Sequence, residues 1–112
     1  MIKMTILYGQ PKNAEAFEAY YATEHVKVAR ALKGLSRVEL STVMPGLDGK
    51  HPAYYRIAEL YFENRPHMEK LLGSPEGNAL MDDLPKFATG GLTAVISEVA
   101  ERFAGGNFLD FG

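Results

Sequence analysis

An α+β fold is what the order of periodicities in these 112 residues predicts, and three observations carry the prediction. Residues 2–8, IKMTILY, and 54–62, YYRIAELYF, have the alternation and the aromatic and β-branched content of strands. Residues 14–34 carry apolar side chains at helical spacing. Two further helix starts, at Asn64 and at Ser74-Pro75-Glu76, then precede a last β-type run, LTAVISEVAERF, at 92–103.

In the first strand, Ile2, Met4, Ile6 and Tyr8 alternate with Lys3 and Thr5, Leu7 interrupts the polar side, and the turn formers of GQPKN stop the run. Asn13 is placed to cap the first helix, with Glu15 in its first turn and Gly34 as its C′ residue. Residues 35–43, LSRVELSTV, alternate enough for a second strand, and PGLDGKHP at 45–52 is a loop. The third strand, 54–62, is apolar on both sides and belongs in the middle of a sheet. Met68, Leu71 and Leu72 face inward from a short helix capped by Asn64, and Leu80, Met81 and Leu84 from one opened by Ser74 and Pro75. Residues 103–112 form a C-terminal tail, and AGGNFLDFG within it is expected to have no structure of its own.

The order βαββαβ is the split βαβ, or ferredoxin-like, arrangement: a four-stranded antiparallel sheet with its helices on one face. Apolar residues on both sides of strands one and three leave a second face to be covered, and a symmetric homodimer with sheet packed on sheet is the expected cover.

Composition narrows the function classes. A chain of 112 residues with 46% hydrophobic residues fills one core, so one domain is expected. Net charge is −2 with both signs interspersed, which offers no basic stripe to nucleic acid or to an anionic membrane; a small apolar or aromatic molecule is the expected partner. With no cysteine there is no thiol nucleophile and no thiolate metal site. The alternating N-terminus is not a leader and no apolar run is long enough for a membrane span, so a soluble, unprocessed, cytoplasmic protein is expected. His51 and His67 make no ligand set with His25, and TGG at 89–91 and AGG at 104–106 lack the strand and helix of a phosphate loop. Ser41 and Ser74 lack a His–acid pattern. Neither metal nor nucleotide cofactor is expected.

One residue stands out. Projected at about 100° per residue, Ala14, Phe17, Tyr21, Val28 and Leu32 share a face of the first helix, and His25 falls in the middle of it. An imidazole with an ordinary pKa near 6.5 is suited to accept or donate a proton around neutral pH, and an inward one needs a polar partner or a cavity. Glu24, beside it, and Glu59, inside an apolar strand, are the candidates to orient it. Tyr21, one turn earlier, and Tyr8, at the end of the first strand, are suited to donate to a ligand oxygen or to stack on a ring, with Phe17 as an apolar neighbour.

AFEAYYATEHVKVARALKGLSRVE resembles the signature helix of EthD-type proteins of the dimeric α/β-barrel superfamily: an aromatic stretch, a histidine, then a PGL-like end, here Lys33-Gly34-Leu35. SPEGNALMDDLPKFATGG resembles the second signature, around Asp83-Leu84-Pro85-Lys86-Phe87, which adds Phe87 to the candidate binding residues. The proline usually found just after the histidine is replaced by Val26-Lys27. The resemblance implies the ferredoxin-like fold over almost the whole chain. It also implies small-molecule chemistry: the family's prototype is implicated in ethyl tert-butyl ether degradation, members are often labelled reductases or oxidoreductases, and more distant relatives isomerise muconolactones, cyclise or decarboxylate polyketide aromatics, or oxidise anthrones without a cofactor. The expected function is therefore a cofactor-independent enzyme of aromatic, lactone, ether or polyketide-type metabolism, with catalytic His25 in a pocket between the first helix and the sheet. An oxidoreductase acting with a partner protein and a non-catalytic carrier of a hydrophobic metabolite are the alternatives.

Overall fold

The computed structural model of the chain describes residues 1–100. Its elements are β1 (Ile2–Gly9), α1 (Ala14–Tyr20), a π-helical turn (Tyr21–His25), α2 (Val26–Ala31), β2 (Arg37–Thr42), β3 (Tyr54–Phe62), α3 (Arg65–Leu72), α4 (Pro75–Phe87) and β4 (Leu92–Glu98). The strands form one sheet in the order β2-β3-β1-β4 with every neighbouring pair antiparallel, which is the ferredoxin-like topology. The register sets Met4 opposite Leu60 and Ile96, and Tyr8 opposite Arg56 and Leu92.

Alternation decides which side chains meet the helices. Met4, Ile6 and Tyr8 of β1 and Ala58, Leu60 and Phe62 of β3 are buried under Phe17, Leu32, Met68, Leu80, Leu84 and Phe87. Burying a side chain of this size stabilises by roughly 1.5–3 kcal/mol, so these residues fix the layer separation. The caps are those read from the sequence: Asn13 accepts from the Ala16 amide at 3.0 Å, Asn64 from His67 at 2.8 Å and Ser74 from Gly77 at 3.0 Å. Gly77 also lets α4 start against α3, because a Cβ there would overlap the Leu71 carbonyl oxygen and lie 2.7 Å from Leu72 Cα.

Several boundaries differ from the sequence reading. The first helical stretch stops at Ala31 instead of running to Gly34, because Leu32 turns to an extended backbone (φ −82°, ψ 110°) and drops into the core; Gly34 supplies a left-handed φ of 94° in the connection to β2. Ala14, assigned to the inward stripe, is exposed. β2 is shorter than 35–43, and β4 ends at Glu98; the rest of the predicted strand beyond residue 100, and the tail, lie outside the described residues.

The second face of the sheet is a mosaic and not the apolar surface expected. Lys3 pairs with Glu59 at 2.7 Å, Tyr61 donates to Glu39 at 2.8 Å, and Arg37 reaches Glu39 at 2.7 Å, among the apolar side chains of Leu7, Ile57 and Val95. Among the described residues no helix is long and apolar enough to cross a membrane.

Candidate active site

Tyr21 to His25 form a single π turn inside an otherwise α-helical rod, closed by the Val26 amide bonding to Tyr21 O five residues back. A π turn fits one extra residue into the helix and is frequent at functional sites. Here it carries two ring side chains, Tyr21 and His25, with centroids 5.3 Å apart.

His25 is buried, and its polar partner comes from α4. Nδ1 lies 2.8 Å from Asp83 Oδ2, the Tyr20 hydroxyl donates to Asp83 Oδ1 at 2.7 Å, and Lys86 Nζ stands 3.9 Å from that same oxygen at the surface. Burial alone would push the Asp83 carboxyl up, but the hydrogen bonds from Tyr20 and His25 more than offset it and leave its pKa below the ordinary value of 3.8. Asp83 is therefore an anion at neutral pH and accepts from Nδ1, so that in the neutral imidazole the proton sits on Nδ1 and Nε2 is the acceptor. Among the described residues nothing hydrogen-bonds Nε2, and it is not one of the fully enclosed polar atoms.

His25 lines a cleft of about 340 Å³ between the π turn, α2, α4 and the sheet. Ile6, Ala58 and Leu60 form its floor, Leu80 and Leu84 of α4 one wall, and Val26, Ala29, Leu35, Val38 and Leu40 the approach; Tyr8, Tyr21, His25 and, at the mouth, Arg30 bring polar groups. An apolar concavity with a few converging polar groups is the usual form of a small-molecule site. Tyr8 is 1% exposed, and burial keeps its phenol well above the ordinary pKa, hence a donor. Tyr21 is likewise raised by burial, against the opposing effect of Arg56. The Arg56 guanidinium lies 4.4 Å from the Tyr21 ring centroid and is anchored by Glu18 at 2.7 and 2.8 Å, while Tyr55 donates to Glu18 at 2.7 Å.

Of the residues singled out from the sequence, His25, Tyr8 and Tyr21 meet in this cleft. Phe17 and Phe87 stand behind it: Phe17 stacks on Tyr21 at 5.8 Å and Phe87 packs against the His25 ring at 4.6 Å, so they hold the polar rings instead of lining the space. Glu59 does not reach the site. It alternates with Ala58 and Leu60, which face the helices, so it falls on the other face of the sheet, with Lys3. Glu24 is exposed, and the partner that orients His25 is Asp83, 58 residues away, to which sequence reasoning gave no role. Tyr20 was missed as well; a buried carboxylate needs more than one donor, and Tyr20 supplies the second. Among the described residues no group of three or more His, Cys, Asp or Glu side chains is placed to hold a metal ion.

The chain combines a ferredoxin-like fold with an Asp–His pair beside an apolar cleft. The EthD domain family model matches residues 10–91, which include His25 and Asp83, and the chain belongs to that family. It is 32% identical over 98 residues to the uncharacterized 11.0 kDa protein in the thcB-thcC intergenic region of Rhodococcus erythropolis, covering 88% of this chain and 94% of that one. Among solved structures it is similar to an EthD family protein from Bacillus halodurans (28% identity, TM-score 0.80, 88% of this chain and 97% of the other). It also resembles, in fold, a dimeric protein of unknown function from Bacteroides fragilis (14% identity, TM-score 0.61, 87% and 94%).

Proposed function

We propose that the protein is an enzyme that moves a proton on a small, largely apolar molecule, with His25 as the catalytic base and acid and Asp83 as the residue that positions it. The observation that carries this reading is the buried Asp83–His25 contact of 2.8 Å at a cleft that His25 lines. The pair supports proton transfer in both directions: Asp83 fixes the tautomer that accepts at Nε2 and then stabilises the imidazolium that results. Tyr8 and Tyr21 fix the ligand, and the aliphatic walls exclude water from it. Ring-sized substrates of aromatic, lactone or ether metabolism match such a cleft. The acid–base chemistry is supplied by side chains of the chain itself.

The working unit of this reading is a homodimer joined through the second face of the sheet, where Leu7, Ile57 and Val95 lie among paired charges; the similarly folded Bacteroides fragilis protein is described as dimeric.

Deuterium exchange tests the chemistry without knowledge of the natural substrate. The protein should catalyse incorporation of deuterium from D2O into the acidic C–H positions of 2-tetralone, and His25→Gln should lower the rate by about 10²-fold or more. An unchanged rate in His25→Gln that folds normally would reject the catalytic assignment in favour of a carrier.

A further inference from the structure

The loops β1–α1 and α4–β4 run backbone against backbone, and their glycines permit it. The Gly9 amide donates to the Gly91 carbonyl oxygen at 2.9 Å, a Cβ at Gly9 would overlap the Gly90 carbonyl oxygen, and a Cβ at Gly90 would overlap that of Gln10. The Lys12 amide then reaches Thr89 Oγ1 at 3.0 Å. These contacts set the entry to α1 and the exit from α4 on two sides of a recess of about 240 Å³. No residue lines both this recess and the cleft of His25. An aromatic layer lies between them. Tyr20 stacks on Phe87 at 5.4 Å and Phe17 meets Phe87 edge-on at 5.2 Å to form the floor of the recess, while the same two phenylalanines hold Tyr21 and His25 at 5.8 and 4.6 Å.

The rim is cationic. Lys12 comes from one loop and Lys86 from the last turn of α4, and among the described residues that line the recess there is no Asp or Glu, although the chain as a whole carries a net charge of −2. The Lys86 ammonium stands 3.9 Å from Asp83 Oδ1, an oxygen that already accepts from the Tyr20 hydroxyl at 2.7 Å, so its donors are free for another acceptor. Thr89 Oγ1 accepts from Lys12 and keeps its own proton to donate. The Asn13 side chain already takes the Ala16 amide at 3.0 Å, so the attraction for an anion rests on the two ammonium groups and the hydroxyl, not on the start of α1.

We propose that this recess is a second small-molecule site, for a single-ring aromatic carboxylate whose ring lies against Tyr20 and Phe87 and whose carboxylate is shared by Lys12, Lys86 and the Thr89 hydroxyl. The size selects one ring, since the recess is smaller than the ~300–1,000 Å³ of sites for drug-sized ligands. The aromatic floor takes the ring out of water, and the rim, where water still reaches, supplies exposed ion pairs worth little singly. A neutral ring gains only the first contribution and a small anion only the second, so the two together define the ligand class. The proposal is independent of the acid–base reading of His25.

The test is a titration of the 15N-labelled protein with benzoate, with benzyl alcohol as the ring without the charge and acetate as the charge without the ring, followed by amide chemical shifts. Benzoate should give saturable shifts centred on Lys12, Lys86 and Thr89, bind about tenfold more tightly than either control, and weaken as sodium chloride is added. Lys12→Gln and Lys86→Gln should each weaken it about threefold and the double variant about tenfold. Ala16→Trp, at an exposed position of α1 on the recess wall, should fill the space and abolish the shifts; the lysine variants decide the matter if this one does not fold. No saturable shift up to about 10 mM benzoate would overturn the site. Shifts centred on His25, Val38 and Leu40, equal affinity for either control, or unchanged affinity in the double lysine variant would overturn it as well.

Discussion

Asp83 Oδ2 meets His25 Nδ1 at 2.8 Å, joining the middle of α4 to the π turn under the mouth of the cleft. The contact determines which imidazole nitrogen holds the proton, and with it what the cleft can do. Asp83→Asn keeps the shape and the hydrogen-bonding reach but removes the charge that stabilises the imidazolium. Exchange into 2-tetralone should fall by about 10²-fold in this variant while far-UV circular dichroism stays unchanged. Wild-type turnover would show that Asp83 does not position the base.

The same carboxylate ties stability to pH. Its pKa in the folded protein is lowered, so the stability it contributes is present above the unfolded value near 3.8 and is lost as pH falls through the folded value. Melting temperature should therefore drop on acidification through that low-pH window, and Asp83→Asn should flatten the drop. Tyr20→Phe removes the donor to Oδ1, raises the Asp83 pKa and should move the loss to higher pH. Scanning calorimetry from about pH 6 to pH 2 reads both effects; superimposable curves for Tyr20→Phe would show that Tyr20 does not hold Asp83 ionised.

The range of each signal decides how much of the fold and site was legible in the sequence. Strand alternation and caps act within a few residues, so IKMTILY, YYRIAELYF, Asn13, Asn64 and Ser74 announced their roles, and His25 stood out against the apolar stripe of its own helix. Asp83 did not, because a carboxylate flanked by Asp82 and Leu84 reads as the polar edge of a helix until the packing of α4 on the π turn places it inside. The π turn itself has no breaker to mark it, and it rotates α2 relative to an ideal 100° projection. Glu59 was misread for a different reason. Its parity puts it with Ile57 and Tyr61 on the far face, but a strand apolar on both sides hides which parity is inward.

The approach of α4 to α3 depends on Gly77. An added Cβ meets backbone, the Leu71 carbonyl and Leu72, and backbone cannot move aside as a flexible side-chain tip can. Gly77→Ala should destabilise the protein by about 1–3 kcal/mol despite the higher helix propensity of alanine, as measured by urea unfolding. Because α4 carries Asp83, the variant should also lose exchange activity. A stabilised Gly77→Ala would mean that the start of α4 has room to shift.

The second face of the sheet gives a prediction about assembly. Ile57 lies on it beside Leu7, with the Lys3–Glu59 pair adjacent in the register. If a second copy covers this face, an arginine at position 57 buries an unpaired charge in each subunit and separates them. Analytical ultracentrifugation should give twice 12.4 kDa for the protein and a single subunit for Ile57→Arg. A monomer in both cases would assign the mosaic face to solvent.

The last prediction concerns the mouth of the cleft. Val38 and Leu40 sit on β2, an edge strand, and point to the helix side where no helix fully covers them; they are 46% and 56% exposed, yet both line the space in front of His25. Side chains this exposed contribute little to the core, so enlarging one should leave stability nearly unchanged. Leu40→Trp puts an indole into the approach and should weaken 2-tetralone binding by about tenfold, with a shift in melting temperature of no more than a few degrees. The chemistry of any ligand that still binds should survive, because neither Asp83 nor His25 contacts position 40 through a hydrogen bond. Exchange at saturating ketone should therefore stay near wild type while the concentration needed for half-maximal rate rises. Equal binding by Leu40→Trp and the parent would place the ligand elsewhere, away from the β2 side of the cleft.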